Sequence, residues 1–223
     1  MDTNQPRLEL EGAELSLNKA AELQLGSASI LRFRSFLAHS QGRLKEAIGF
    51  HEQAITLDPL FASSHSYLAW LLYSAGQYEK ALVSARRALE LNPQKTYDHF
   101  SRGEVFLAQG RLEESLAEMK QEPGPAWSLT GEALVYHALG REQDSNAALT
   151  QLINQYQQSV AYQIAEIYAY RGDSDLAFQW LNRAYQQRDS GMRSLKTDPL
   201  LKSLRKDPRY AELLRRMALP SEI

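Results

Sequence analysis

The sequence predicts an all-α chain of helical hairpins, and three observations carry that prediction. The first is a repeat. Gly42, Ala47, Ala54 and Pro59 recur 34 residues later as Gly76, Ala81, Ala88 and Pro93, and the glycine recurs once more at Gly110. The second is periodicity: in SSHSYLAWLLYSAG and QYEKALVSARRALELNP, within residues 63–93, apolar residues fall at helical spacing, and Gly76 interrupts the pattern between two amphipathic segments. The third is the lack of a strand signal, since the only valines are Val83, Val105, Val135 and Val160, none in an alternating run.

A period of 34 with a glycine, small residues five and twelve positions later and a proline seventeen later resembles the tetratricopeptide repeat. The resemblance implies a right-handed α-solenoid of about five helix-turn-helix repeats with capping helices at both ends. It also implies that the first helix of each pair, helix A, lines a concave groove and the second, helix B, forms the convex back.

The elements follow in order. Residues 1–27 comprise a polar tail and a capping helix, with Leu8, Leu15, Leu17, Leu23 and Leu25 loosely on one face and Gly12 as a break. The first repeat, 28–61, has helix A over Ala28–Gln41 and helix B over Leu44–Leu57, stopped by Asp58-Pro59 because the residue before proline avoids the α region. The second repeat is 62–95. The third, 96–125, turns at Gly110, has Ser115 in place of the close-packing alanine, and meets Glu122-Pro123-Gly124-Pro125 about one turn early, which shortens its helix B. The fourth, 126–157, keeps Ala133 and Gly140 but places Ser145 and Leu152 at the two small positions, and Gln155–Gln158 reads as a solvated linker. The fifth, 158–189, restores the pattern with Ala165, Gly172, Ala177 and Ala184. Residues 190–223 form a helical cap. Its Asp198-Pro199 and Asp207-Pro208 pairs start two short helices, and Leu200, Leu201, Leu204, Tyr210, Leu213 and Leu214 cover the last apolar face.

Composition narrows the function classes. The 223 residues are 43% hydrophobic, ample for a continuous core, and 25 Lys+Arg against 27 Asp+Glu give no global attraction to nucleic acid or anionic lipid. Cysteine is absent, which removes disulfides, thiolate metal sites and cysteine nucleophiles together. The N-terminus lacks the apolar run of a signal peptide, and no window approaches the ~20 apolar residues of a membrane span, so the expectation is a soluble, cytoplasmic protein without membrane contact. His51-Glu52 begins like a zinc-protease helix, but Ile55 stands where the second ligand belongs. The five histidines show no metal-ligand spacing, and neither a phosphate-binding loop nor a nucleophile elbow occurs. The chain therefore reads as non-enzymatic, with no cofactor and no metal.

The C-terminal half, roughly 96–219, also resembles the tetratricopeptide tail of bacterial multidomain regulators, through EPGPAW at Glu122–Trp127, LVYHALGR at Leu134–Arg141, the run Ala161–Asp189 and LKTDPLLKSLRKDPRY at Leu195–Tyr210. That likeness implies a sensory or regulatory module as the alternative to a stand-alone adaptor.

The leading expectation is an adaptor that binds a peptide segment of another protein in the concave groove. Residues at fixed offsets before each turn glycine make that surface: Arg32, Phe36 and His39; Trp70 and Tyr73; Tyr97, Phe100 and Glu104; Trp127 and His137; Tyr162, Glu166 and Tyr170. Rings with a polar handle supply contact area at low rotamer cost. Some of these rings can instead pack against neighbouring helices and close the groove. Arg32 and His39, stacked along one helix, could meet an acidic group, although Arg32 could equally pair with a surface acid of its own chain. The Lys and Asn clamp by which some tetratricopeptide proteins grip chaperone tails is missing, with Phe36, Tyr67, Tyr97 and Ser101 at four of its positions. One basic patch occurs, nine Lys or Arg against four Asp or Glu over Arg188–Arg216, a local +5 that leaves −7 for the rest. A solvated capping face accounts for it, and the lack of an aromatic stacking platform disfavours nucleic acid. The partner's identity and the oligomeric state, including a second copy of the chain as partner, stay open at this level.

Overall fold

The computed structural model describes residues 27–219 and, ahead of them, Gly12 alone. The expected N-terminal tail and capping helix thus lie almost wholly outside the described residues; Gly12, expected as a break, is helical and exposed. The described residues contain no strand. They fold as antiparallel helix pairs in chain order: α1 (Ala28–Ser40) with α2 (Leu44–Leu57), α3 (Ala62–Ser74) with α4 (Tyr78–Leu91), α5 (Asp98–Ala108) with α6 (Leu112–Gln121), α7 (Pro125–Ala138) with α8 (Glu142–Tyr156), and α9 (Ala161–Tyr170) with α10 (Ser174–Gln187). This is the expected all-α solenoid.

The turn glycines explain the pairing. Gly42, Gly76, Gly110, Gly140 and Gly172 have φ of +83°, +72°, +72°, +70° and +84°, a region in which a Cβ is strained. The next residue's N–H then donates five residues back, as in Arg43 to the Ala38 carbonyl and Gln77 to Leu72, each at 2.8 Å, and this satisfies a helix-end carbonyl. Beyond the turn, Ala47, Ala54, Ala81, Ala88, Ala177 and Ala184 are fully buried at the helix crossing. Where serine replaces alanine its hydroxyl bonds the facing helix: Ser115 Oγ donates to the Gly103 carbonyl at 2.7 Å and Ser145 Oγ to Ala133 at 2.5 Å.

The shortened α6 has a structural use. Glu122, freed from the helix, accepts from the backbone N–H of Tyr97 (2.9 Å), Phe100 (3.1 Å) and Gly124 (2.9 Å), so one carboxylate caps α5, whose own N-cap residue Tyr97 sits at φ +85°. Gly103 and Gly131, isolated in the sequence, flank the buried Met119; a Cβ on either would lie 2.7 Å or 2.1 Å from its Sδ. The Gln155–Gln158 linker begins later than expected, because α8 continues to Tyr156.

After α10 the chain leaves hairpin geometry. Two 3₁₀ helices, Ser190–Ser194 and Pro199–Leu204, precede α11 (Pro208–Arg216). Each starts from an aspartate whose Oδ1 accepts a nearby N–H: Asp189 from Gly191 (2.9 Å), Asp198 from Leu200 (2.8 Å) and Asp207 from Arg209 (2.9 Å). Leu195, Leu201, Leu204, Tyr210, Leu213 and Leu214 bury against α9 and α10 and cap the last pair. Leu200 reaches further, into the cluster of Phe100, Leu134, Ile164 and Ile167.

The segment 189–205 also runs across the concave side as a strap. It touches the first pair, where Thr197 Oγ1 lies 2.8 Å from His39 Nε2 across 158 residues of sequence and the Lys196 stem packs on Gly42. The expectation of an open groove is corrected here. Leu195, Leu201 and Leu204 bury on the last pair and Leu200 in the cluster of Phe100 and Leu134, and these contacts hold the segment on the inner wall. Part of the basic patch is engaged: Arg209 pairs with Asp207 (2.8 Å) and Asp175 (2.7 Å), and Arg205 donates to the Asp198 carbonyl (3.1 Å).

Candidate functional site: a chamber under the strap

Between the strap and the helix A wall lies a chamber of about 460 Å³. Trp70 from α3, the N-cap residue Tyr97 with Phe100 and Glu104 of α5, Trp127 from α7, and Tyr162 and Glu166 from α9 line it, with Asp189, Gly191 and Arg193 of the strap opposite. Rings dominate the wall: Tyr97 and Phe100 meet Trp127 with centroids 4.9 Å and 5.1 Å away. Hydroxyls interrupt it at Ser63, Ser66, Ser159, Ser190 and Ser194.

Charge is separated by depth. Glu104 and Glu166 are buried at 3% and 7% exposure, and Asp198 of the strap, at 3%, lies beside them. Burial, followed by the Asp198 charge, holds the Glu104 carboxyl well above its usual range. Glu166 is raised for the same reasons and by a hydrogen bond with Asp198. Asp198 Oδ2 also accepts from the Tyr162 hydroxyl at 2.9 Å. Glu104 Oε2, by contrast, is buried without a hydrogen-bond partner. The cations stand elsewhere on the lining: Lys95, whose Nζ donates to Ser66 Oγ at 2.9 Å and sits 3.5 Å from Asp98 Oδ1, and the exposed Arg193 of the strap.

Of the residues the sequence singled out, the structure gathers Trp70, Tyr97, Phe100, Glu104, Trp127, Tyr162 and Glu166 on this chamber. The others it places apart. Arg32 pairs with Asp58 (3.2 Å) and Ser29 (3.0 Å) beneath Phe61, which is the surface ion pair foreseen as its alternative. Phe36 packs edge-on to Tyr67, centroids 4.4 Å apart. His39 is buried with both ring nitrogens occupied, by the Tyr67 hydroxyl (2.5 Å) and Thr197 (2.8 Å), so it is not available to an acidic ligand. Burial, then the Arg193 charge, lowers its pKa to about 3. Tyr73 and Tyr170 line a smaller gap of about 300 Å³ on the other side of the strap, by Leu200 and Ser203. His137 lies outside both, 3.0 Å from Glu142. Sequence reasoning missed Lys95, which sits between helices at the end of the second repeat, and Arg193, hidden in the basic patch. Among the described residues no group of three His, Asp or Glu is placed to hold a metal ion, and no helix is long and apolar enough to cross a membrane.

Comparison with known proteins addresses the fold. Residues 62–95 match the tetratricopeptide repeat family model. A thermophilic tetratricopeptide protein of Thermus thermophilus superposes with a TM-score of 0.61 at 21% identity, over 84% of this chain and 99% of its own. A tetratricopeptide repeat protein from Parabacteroides merdae gives 0.57 at 16% identity, over 96% and 88%. YrrB, described as a tetratricopeptide protein with an unusual peptide-binding site, gives 0.50 at 17% identity, over 80% and 95%. No curated protein matches the sequence significantly. The likeness of the C-terminal half to regulator tails rests on its sequence motifs alone. Residues 62–95 thus match the tetratricopeptide repeat, and the chain shares the fold of tetratricopeptide-repeat proteins.

Proposed function

We propose that the chain is a non-enzymatic adaptor that holds a short segment of another protein under its strap, with part of that segment inside the chamber. The observation that carries this reading is the chamber itself. Helices from four successive pairs contribute rings and hydroxyls to one enclosed space, and about 460 Å³ is within the usual range for a bound group while too small for a peptide running the length of the groove. Aromatic walls with scattered hydroxyls suit a side chain and its flanking backbone. YrrB, which shares the fold, is described as having a peptide-binding site, and that agrees with peptide recognition on this scaffold.

The test is selection from a random peptide library on the immobilised full chain, repeated with Trp127→Ala. Trp127 is only partly buried, so its removal opens the chamber without emptying the core. Enriched peptides that bind the parent and lose at least about tenfold affinity on Trp127→Ala support the reading. Peptides indifferent to Trp127, or no enrichment at all, contradict it.

A further inference from the structure

We propose that the segment held in the chamber is one that inserts a lysine side chain, flanked on the peptide by acidic residues. This inference rests on the reading that the chamber takes a partner's segment. Three features of the chamber select that chemistry.

The deep end has an acceptor without a donor. Glu104 Oε2 is enclosed and unpartnered, although buried carboxyl oxygens are almost always satisfied. No neighbouring hydroxyl lies within hydrogen-bond distance of it, and that of Tyr162 is committed to Asp198. What is lacking is a donor from outside, and a cation best offsets an acid so deeply placed.

The walls then choose among cations. Tyr97, Phe100 and Trp127 line the chamber, and aromatic rings attract an ammonium and shelter the methylene stem that carries it. A compact ammonium can meet an enclosed carboxyl oxygen without the two acceptors side by side that a guanidinium's planar fork needs.

The remaining lining chooses the flanks. Lys95 and Arg193 place two positive charges on the same chamber. Arg193 has no hydrogen bond or ion pair with a described residue, and Lys95 is shared with Asp98 and Ser66. A run of basic residues would be repelled there. A lysine with glutamate or aspartate beside it satisfies both ends, its ammonium at Glu104 and its neighbours' carboxylates at Arg193 and Lys95.

Entry of an ammonium favours the ionised form of the acids it meets.

The probe is the capped peptide Ac-Gly-Glu-Gly-Lys-Gly-Glu-Gly-NH₂, titrated into the full chain by NMR and by calorimetry. Expected are binding, at least about tenfold weakening on Nε-acetylation of the lysine or with Glu104→Gln, and a several-fold loss with Arg193→Gln that high salt erases. Glu104→Gln is isosteric, and an unchanged melting temperature shows that it folds. Equal binding of the acetylated peptide, or binding indifferent to Glu104→Gln, overturns the proposal. So does free lysine binding as tightly as the peptide, which would make the ligand a small molecule and overturn the adaptor reading with it. If this peptide fails while library peptides lacking lysine bind and depend on Trp127, the lysine inference falls and the adaptor reading stands.

Discussion

The hairpins and the strap bury the same inner wall by unlike means. From Gly42 to Ala184 each pair is closed by one local device, a left-handed glycine followed by a small residue at the helix crossing, and the contacts stay within a pair or its neighbour. The strap has no period. It advances through two 3₁₀ helices and three aspartate turns and brings Thr197 against His39, 158 residues away. A pure solenoid leaves its two ends independent; here one segment touches both, and the chamber with its unpartnered carboxyl oxygen exists only where the strap stands off the wall. Regular packing supplied the scaffold. The irregular segment made the site.

That contrast can be broken most decisively at Leu201, fully buried between the strap and α9. Leu201→Ala is expected to cost about 2–5 kcal/mol of unfolding free energy by urea titration, as for any core leucine. A loss under about 1 kcal/mol would mean that the strap merely drapes over the wall.

A smaller effect sharpens the strap's tie to the first pair. His39 has a folded pKa of about 3, below the 6.5 of an unfolded histidine, so between those values the unfolded chain binds the extra proton and stability falls as the pH drops. Going from pH 7 to pH 5 should remove roughly 2 kcal/mol through this residue. Glu104 and Glu166 act in the opposite sense, because their raised folded pKa makes acidification favour the fold. The reading is therefore the difference between the parent and His39→Gln, whose loss over the same pH interval should be smaller by about that amount. Identical pH profiles would show that His39 is not held neutral beneath the strap.

The hairpin device predicts lesser changes. Gly76→Ala forces a Cβ into φ +72° with no atom within 4 Å to clash, so only backbone strain remains, about 1 kcal/mol by thermal unfolding. Ser115→Ala leaves the Gly103 carbonyl without its hydroxyl partner but restores the alanine of the other crossings, so a loss of about 0.5–1 kcal/mol is expected. A cost above about 3 kcal/mol for either would show that the device is not as local as described.

Locality also decided what could be read without coordinates. Gly42, Gly76, Ala47 and Ala81 announce themselves because each contact they serve closes within one hairpin, and a shift of 34 positions superposes the pattern. The chamber was half legible. Trp70, Tyr97, Phe100, Glu104, Trp127, Tyr162 and Glu166 follow from helix A offsets, whereas Lys95 lies between helices and Arg193 on an aperiodic segment, where no offset points at them. Arg32 stands at the helix A offset of Phe100 and Tyr162, yet Asp58 engages it, and His39 is held by Tyr67 and Thr197. Glu122 looked like the end of a helix and proved to be the cap of another, because its three N–H donors come from both sides of a long gap in sequence. The leucines of 195–204 were recognised as a cap, but their path across the concave side depends on a wall that only the folded repeats create.

The strap's crossing is most directly tested by NMR of the His39 side chain in the full chain. We predict cross-relaxation between the His39 ring protons and the Thr197 methyl, and an imidazole that stays neutral from pH 7 down to about pH 4. A ring with no contact to Thr197 that titrates near its ordinary 6.5 would place the strap elsewhere and dissolve the chamber beneath it.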